Sequence, residues 1–232
     1  DLARLLRPRS VAVIGGGVWC ENVVQQCRAI GFRGAIWPVH PTRTEIAGAP
    51  AFEGLAELPS APDAVFIGVN RTLTVQLVAQ LAEMGAGGAT CFASGFREAQ
   101  LESEDGADLQ EQLLAAAKDM PVIGPNCYGF INYLDKISVW SDQVSGKPTK
   151  KGVAIICQSG TIGNTISFNN RSLPIGYIIS LGNQSKITIE DAISYALDDN
   201  RVTAIGIYAE SFTNTAKLIK VFKKSKLKNI PI

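Results

Sequence analysis

The sequence predicts an α/β protein built on two successive parallel sheets, each covered by helices. Three observations predict it. Short apolar runs alternate with stretches of helical spacing along most of the 232 residues, and such alternation implies parallel strands joined by covering crossovers. The rhythm breaks once, over 135–151, where Ser, Gly, Pro and the lysines Lys136, Lys147, Lys150 and Lys151 read as a connection. Apolar residues make up 46% of the chain, enough core for one large or two modest domains. The expected division is a first domain over 1–134, a linker over 135–151 and a second domain over 152–232.

The elements follow in order. Strands are expected at 11–15, 35–39, 64–69, 89–93 and 122–124. Leu73, Leu77, Val78, Leu81 and Met84 fall at helical spacing and Gly85 supplies the stop. Leu109, Leu113, Leu114 and Ala117 form a second such face. Glu102, Glu104, Asp105 and Asp108 mark a loop and helix start, where acids suit the helix dipole. Beyond the linker come a strand at 153–157, a helix from Thr161, a strand at 177–181, a helix from Thr188, a strand at 204–208 and a helix from Asn214. Thr188 and Asp191 form a capping pair at their spacing of three. Lys217, Lys220, Lys223, Lys224, Lys226 and Lys228 load the last helix and its exit; this reads as a solvated face with cations at the helix C-terminus. The chain begins at Asp1 rather than Met and ends on Ile230-Pro231-Ile232, which reads as the opening of another strand. The second domain is therefore expected to be truncated in this sequence.

Bulk properties exclude several classes. A net charge of +1 speaks against a nucleic-acid binder. No apolar run approaches the roughly 20 residues that span a bilayer, and no signal-peptide pattern opens the chain. The five cysteines form no Cys-x-x-Cys pair; reduced thiols and a cytoplasmic protein are expected. The single histidine, His40, lacks partners at metal-ligand spacing, so no metal site is expected.

The informative stretches are turns at strand ends. Gly124-Pro125-Asn126-Cys127-Tyr128-Gly129 follows an apolar run, and Gln158-Ser159-Gly160-Thr161 follows another thirty residues on. Each delivers Gly and small polar residues where main-chain N–H groups converge, suggesting paired sites for an anion. Val11-Ala12-Val13-Ile14 runs into a third turn, Gly15-Gly16-Gly17. As a dinucleotide fingerprint this loop is imperfect. Its third position is Cys20, and the next strand ends in Trp37-Pro38-Val39-His40-Pro41-Thr42-Arg43, without the acid that holds a free ribose diol. A phosphate-rich ligand other than NAD fits better; a tight turn without ligand is the alternative.

Together these residues resemble the nucleoside-diphosphate-forming acyl-CoA synthetases, in their CoA-binding portion, which is similar to the alpha subunit of succinyl-CoA synthetase. The landmarks are Pro8-Arg9-Ser10 with the first strand, Trp37-Pro38-Val39-His40-Pro41, Ala93-Ser94-Gly95-Phe96, the turn at 124–129, Gln158-Ser159-Gly160, Ser180-Leu181-Gly182-Asn183 and Tyr208-Ala209-Glu210. The resemblance implies a Rossmann-like CoA-binding domain followed by a flavodoxin-like domain of the succinyl-CoA-ligase type.

By position it implies that Gly15, Gly16, Gly17, Val18, Trp19 and Cys20 hold CoA, with Pro41 and Arg43 near its phosphates. Val69, Asn70, Ser94, Gly95 and Phe96 would flank the adenine and pantetheine path. Asn126, Ser159, Gly160 and Thr161 would cradle phosphate, and Glu210 would steady a phosphorylated imidazole. In the family that histidine lies further along than this sequence reaches, so it is absent from the chain. The loop after Gly15 is also shorter and bulkier than usual, and Asn70 stands where Pro is common. The implied reaction converts acyl-CoA, nucleoside diphosphate and phosphate into free acid, CoA and nucleoside triphosphate. The implied partners are CoA, an acyl group, phosphate, and ADP or GDP with Mg on an ATP-grasp domain or subunit, in a homo- or hetero-oligomer; this sequence alone is expected to be inactive. Two alternatives remain at this point: a non-catalytic acyl-CoA sensor fused to an acyltransferase, and an NAD(P)-binding oxidoreductase domain.

Overall fold

The computed structural model describes residues 2–100, 105–168 and 172–232. Glu102 and Glu104 lie outside the described residues. The first half contains α1 (Leu2–Leu6), β1 (Ser10–Ile14), α2 (Val18–Ala29) and β2 (Ala35–Val39). A small antiparallel ribbon follows, β3 (Glu45–Ile46) and β4 (Ala49–Pro50). Then come β5 (Ala64–Ile67), α3 (Arg71–Met84), β6 (Ala89–Cys91), α4 (Gly106–Ala117) and β7 (Val122–Ile123). The sheet runs β2-β1-β5-β6-β7, all parallel. The chain reverses direction across the sheet between β1 and β5. In open α/β sheets this switch point leaves a crevice at the carboxyl ends of the strands.

Local chemistry explains the helices. In α2, Cys20, Val23, Val24 and Cys27 are buried at i, i+3, i+4 and i+7, one helical stripe. Helix α3 starts where the Asn70 side chain accepts the N–H of Leu73 and stops at Gly85 with φ 77°.

The second half contains β8 (Gly129–Asn132), β9 (Ile137–Trp140), β10 (Gly152–Cys157), α5 (Gly160–Ser167), β11 (Ile175–Ser180), α6 (Ile189–Asp198), β12 (Val202–Tyr208) and α7 (Thr215–Lys228). Its sheet runs β12-β10-β11-β8-β9. The first three strands are parallel, and the β8–β9 hairpin adds antiparallel to β11. Thr188 and Asp191 form the expected reciprocal capping box on α6. Near the chain end, Ile205 N–H donates to Pro231 O, so residue 231 runs beside β12.

One expectation needs correction. The sequence placed 129–134 in the first domain and 135–151 in a linker, yet β8 and β9 belong to the second sheet. Tyr177 to Ser180 of β11 register with Asn132 to Gly129 of β8. Every residue of both strands is buried, because α2 covers the hairpin: Asn22 Nδ2 donates to Ser141 O at 2.9 Å and Cys27 Sγ to Ser138 O at 2.9 Å. A strand buried on both sides loses the polar alternation that marks it in sequence.

The two halves are joined at both ends. At the carboxyl ends of the strands, Asn183 N–H donates to Pro125 O and Ser185 N–H to Gly124 O. Gly182 permits this approach: its φ is +52°, and a Cβ there would stand 2.2 Å from Pro125 O. At the opposite end, Asp199 receives Arg7, Arg201 and the Tyr177 hydroxyl. Arg201 also pairs with Asp135 in the β8–β9 turn.

Candidate functional site

Both sheets turn the carboxyl ends of their parallel strands toward one cleft of about 750 Å³. From the first sheet come Trp19, Val69, Asn70, Phe92 and Ser94. The turn at 126–128 forms its floor, and Gln158 to Thr161, Gly182, Asn183 and Glu210 close the far side. A second, smaller pocket of about 370 Å³ lies at the β1/β5 switch point; Gly15, Gly16, Pro41 and Val69 border it, with His40, Leu73 and Leu77.

The residues of the two turns therefore meet in space. Helix α5 opens into the cleft. Ser159 Oγ accepts the N–H of Ile162, capping the helix. Gly160 and Thr161 lie in the first turn, whose N–H groups have no intrahelical acceptor and carry the positive end of the dipole. Across the floor, Asn126 holds φ 59°, and its N–H donates to Ala93 O, tying the turn to the end of β6. Gly124 has φ +95°, and a Cβ there would stand 2.6 Å from Cys91 O.

Glu210 is exposed on the segment after β12. Its main chain is held in place: Gln158 Oε1 accepts the N–H groups of Glu210 and Ser211, the latter at 2.8 Å. Gln184 Nε2 donates to Ser211 O at 3.3 Å.

The glycine loop is braced from one side. Arg43 Nη1 donates to Gly16 O at 2.6 Å and pairs with Glu21 at 2.9 Å. His40 Nδ1 accepts the N–H groups of Thr42 and Arg43, at 3.2 and 3.1 Å, which leaves its ring proton on Nε2. A Cβ on Gly16 would stand 2.5 Å from the His40 ring. His40 therefore shapes the loop; it borders the smaller pocket and is not among the residues lining the cleft.

Other residues singled out in the sequence sit differently. Gly17 is the extended N-cap of α2, and Val18 is exposed on its first turn. Cys20 and Phe96 are fully buried, so neither presents its side chain to a ligand. Cys20 is packed where its Sγ meets Ile14 O and Gly68 O, and burial pushes its thiol up to about 11. Gly95 is occupied by the protein: its N–H donates to Glu98 Oε1 and its carbonyl accepts from Arg71. Asn70 spends its side-chain oxygen on capping α3. Cys127 lines the floor at 2% exposure, and burial beside Cys91 drives its thiol well above the ordinary range.

Sequence reasoning did not assign Phe92, Glu98, Gln158, Asn183 or Glu190. Glu98 accepts from Gly95 N–H and, across the cleft, from Asn183 Nδ2. Its place just after Ser94-Gly95-Phe96 was the available signal. Glu190 lies in the first turn of α6. Among the described residues no group of three or more His, Cys, Asp or Glu is gathered to hold a metal ion, and no helix is long and apolar enough to cross a membrane.

A Rossmann-like unit that shares one cleft with a flavodoxin-like second unit defines the class of fold. The model of the CoA binding domain family matches residues 9–133, and that of the succinyl-CoA ligase like flavodoxin domain matches 150–232. The chain belongs to the nucleoside-diphosphate-forming acyl-CoA synthetase family, as its CoA-binding portion. It is 32% identical to a trans-feruloyl-CoA synthase from an unknown prokaryotic organism, over all of this chain and 34% of that protein. It is 29% identical to the ADP-forming acetate–CoA ligase II of Archaeoglobus fulgidus, over 92% of this chain and 33% of the ligase. The chain thus spans about a third of the length of these relatives. A crystal structure from Pyrococcus horikoshii OT3 superposes with a TM-score of 0.89 at 26% identity, over 98% of this chain and 53% of that one. An apo acetyl-coenzyme A synthetase from Ca. Korarchaeum cryptofilum shares the fold, with a TM-score of 0.87 at 24% identity over 98% of this chain and 50% of that one.

Proposed function

We propose that this chain binds CoA and phosphate for an acid–thiol ligase that interconverts acyl-CoA, nucleoside diphosphate and phosphate with acid, CoA and nucleoside triphosphate. The observation that carries the reading is the convergence of the 126–128 turn, the α5 N-terminus and Glu210 on one cleft. Helix N-termini and turns rich in N–H groups favour a phosphoryl group without a fixed cation. Gly15 to Trp19, with Pro41 and Arg43, would face CoA; Asn126, Ser159, Gly160 and Thr161 would hold phosphate. Glu210 would accept the N–H of a phosphorylated imidazole and fix its tautomer. His40 is the sole histidine of the sequence and borders the other pocket, so the phosphate carrier comes from elsewhere.

The reading extends to partners. A grasp domain or partner subunit would supply ADP or GDP with Mg, in a cytoplasmic homo- or hetero-oligomer. The relatives named trans-feruloyl-CoA synthase and ADP-forming acetate–CoA ligase support the ligase class. Isothermal titration of this chain with CoA tests it: saturable binding, weakened by Arg43→Ala, is expected, and the absence of heat with CoA overturns it.

A further inference from the structure

The cleft has an aromatic wall that phosphate and the glycine loop do not use. Trp19, Phe92 and Tyr128 all line it. Their rings step along the wall with centroids 5.2 Å apart from Trp19 to Phe92 and 6.3 Å from Phe92 to Tyr128, at interplanar angles of 39° and 40°. Trp19 stands on the first turn of α2, beside the glycine loop. Tyr128 stands at the other end, against the phosphate turn: a Cβ on Gly160 would lie 2.6 Å from its ring. The wall therefore runs from the nucleotide side of the cleft to the place where acyl and phosphoryl groups would meet.

The Tyr128 end is rigid. Trp140, fully buried, packs edge-on beneath Tyr128 at 5.6 Å. Its indole N–H donates to Asn164 Oδ1 on α5 at 3.2 Å, which fixes the indole. Phe66, also fully buried, backs Phe92 at 5.9 Å. A small acid such as acetate would leave these faces against water. Tilted rings at this spacing accept a planar ring in edge-to-face or offset geometry.

We propose that Phe92 and Tyr128 form the acyl-group subsite and that its substrate class is an aromatic carboxylic acid, carried as the CoA thioester. The inference rests on the CoA-binding reading above and names the acid that reading leaves open. Adenine is the other planar ring in CoA, and Trp19, next to the glycine loop, is where it would stack.

The test is titration of this chain with CoA, acetyl-CoA, hexanoyl-CoA and cinnamoyl-CoA. Cinnamoyl-CoA is expected to bind about tenfold more tightly than acetyl-CoA and hexanoyl-CoA. Phe92→Leu and Tyr128→Leu should each reduce that preference, read as the ratio of cinnamoyl-CoA to CoA affinity within the same variant. Equal affinity for the three thioesters overturns the proposal, as does hexanoyl-CoA matching cinnamoyl-CoA, which would mean that the wall reads apolar bulk alone. A preference that survives both leucine variants and disappears in Trp19→Ala also overturns it. Failure to bind CoA itself sinks the underlying reading, whereas CoA binding without discrimination sinks this proposal alone.

Discussion

The carboxylate of Glu190 accepts the N–H and hydroxyl of Thr213 at 3.0 and 3.1 Å, although it sits in the first turn of another element, α6. It also accepts the N–H of Asn214 at 2.9 Å, and it is 1% exposed. The segment carrying Glu210 is thus held at its far end by Glu190 and at its near end by Gln158.

Glu190→Gln should therefore destabilise the fold. The amide keeps one acceptor oxygen but turns an NH₂ toward donors, a mismatch costing about 1–3 kcal/mol. Urea unfolding reads it as a lower midpoint at unchanged slope. The pH dependence has a defined sign. Burial opposes ionisation of Glu190, but the hydrogen bonds, led by Asn214 N–H, outweigh it and hold the pKa below the ordinary value. A depressed carboxylate contributes stability that is fully present above its unfolded pKa, about 4.3, and is lost as pH falls through the folded one. The gap between wild type and variant should be constant near neutrality and shrink below about pH 4. A gap independent of pH would contradict the assignment.

Asp199 makes a similar case at the other end of the strands. Its side chain is 3% exposed and receives Arg7, Arg201 and Tyr177. Burial disfavours its charge, yet the Arg201 hydrogen bonds prevail and its pKa is strongly lowered. Asp199→Asn removes the more buried of the two anions that Arg7 and Arg201 share, Asp135 being the other. Both arginines are partly exposed and rehydrate, so the cost should fall below the roughly 3–5 kcal/mol of breaking a buried pair, at about 2 kcal/mol. Arg7 belongs to the segment before β1, whereas Asp199 and Arg201 precede β12. An Arg7→Ala/Asp199→Asn double-mutant cycle should show coupling of about 1 kcal/mol or more; additive single effects would mean that the pair does not tie the halves together.

How much of this was legible in the sequence depended on the kind of signal. Strands ending in Gly or small polar residues could be found, and the turns at 124–129 and 158–161 do share a cleft. Asn214 and Thr188 announced their helices because capping chemistry is local. The β8–β9 hairpin was not legible, because its residues are buried by α2 and β11, contacts of long sequence separation. Cys20 and Phe96 were assigned to a ligand from their loops, but side-chain direction within a loop depends on tertiary packing, and both point into the core. Glu190 was invisible for the same reason: its partners lie more than twenty residues away.

The thiols should be inert in the native state. All five are free and buried, and burial raises Cys27, Cys91 and Cys157 to about 12. The thiolate is the reactive form, so at pH 8 a thiol-reactive dye should label none of them rapidly. Labelling of all five is expected in denaturant. Rapid native labelling of Cys127 would show that the cleft floor opens.

The glycine loop supplies the sharpest geometric test. Gly16 has no side chain, and a Cβ there would overlap the His40 ring at 2.5–2.6 Å. That ring cannot retreat freely, because its Nδ1 holds the N–H groups of Thr42 and Arg43. Gly16→Ala should push the two loops apart and, on the CoA reading, weaken CoA binding about tenfold, or 1.4 kcal/mol. Removing the obstacle should recover part of the loss. In Gly16→Ala/His40→Ala the new methyl group occupies space the imidazole has left, so the double variant should bind CoA more tightly than the sum of the single effects predicts. Strict additivity in calorimetric titration would mean that Gly16 is glycine for a reason other than His40, such as direct approach of the ligand to the backbone.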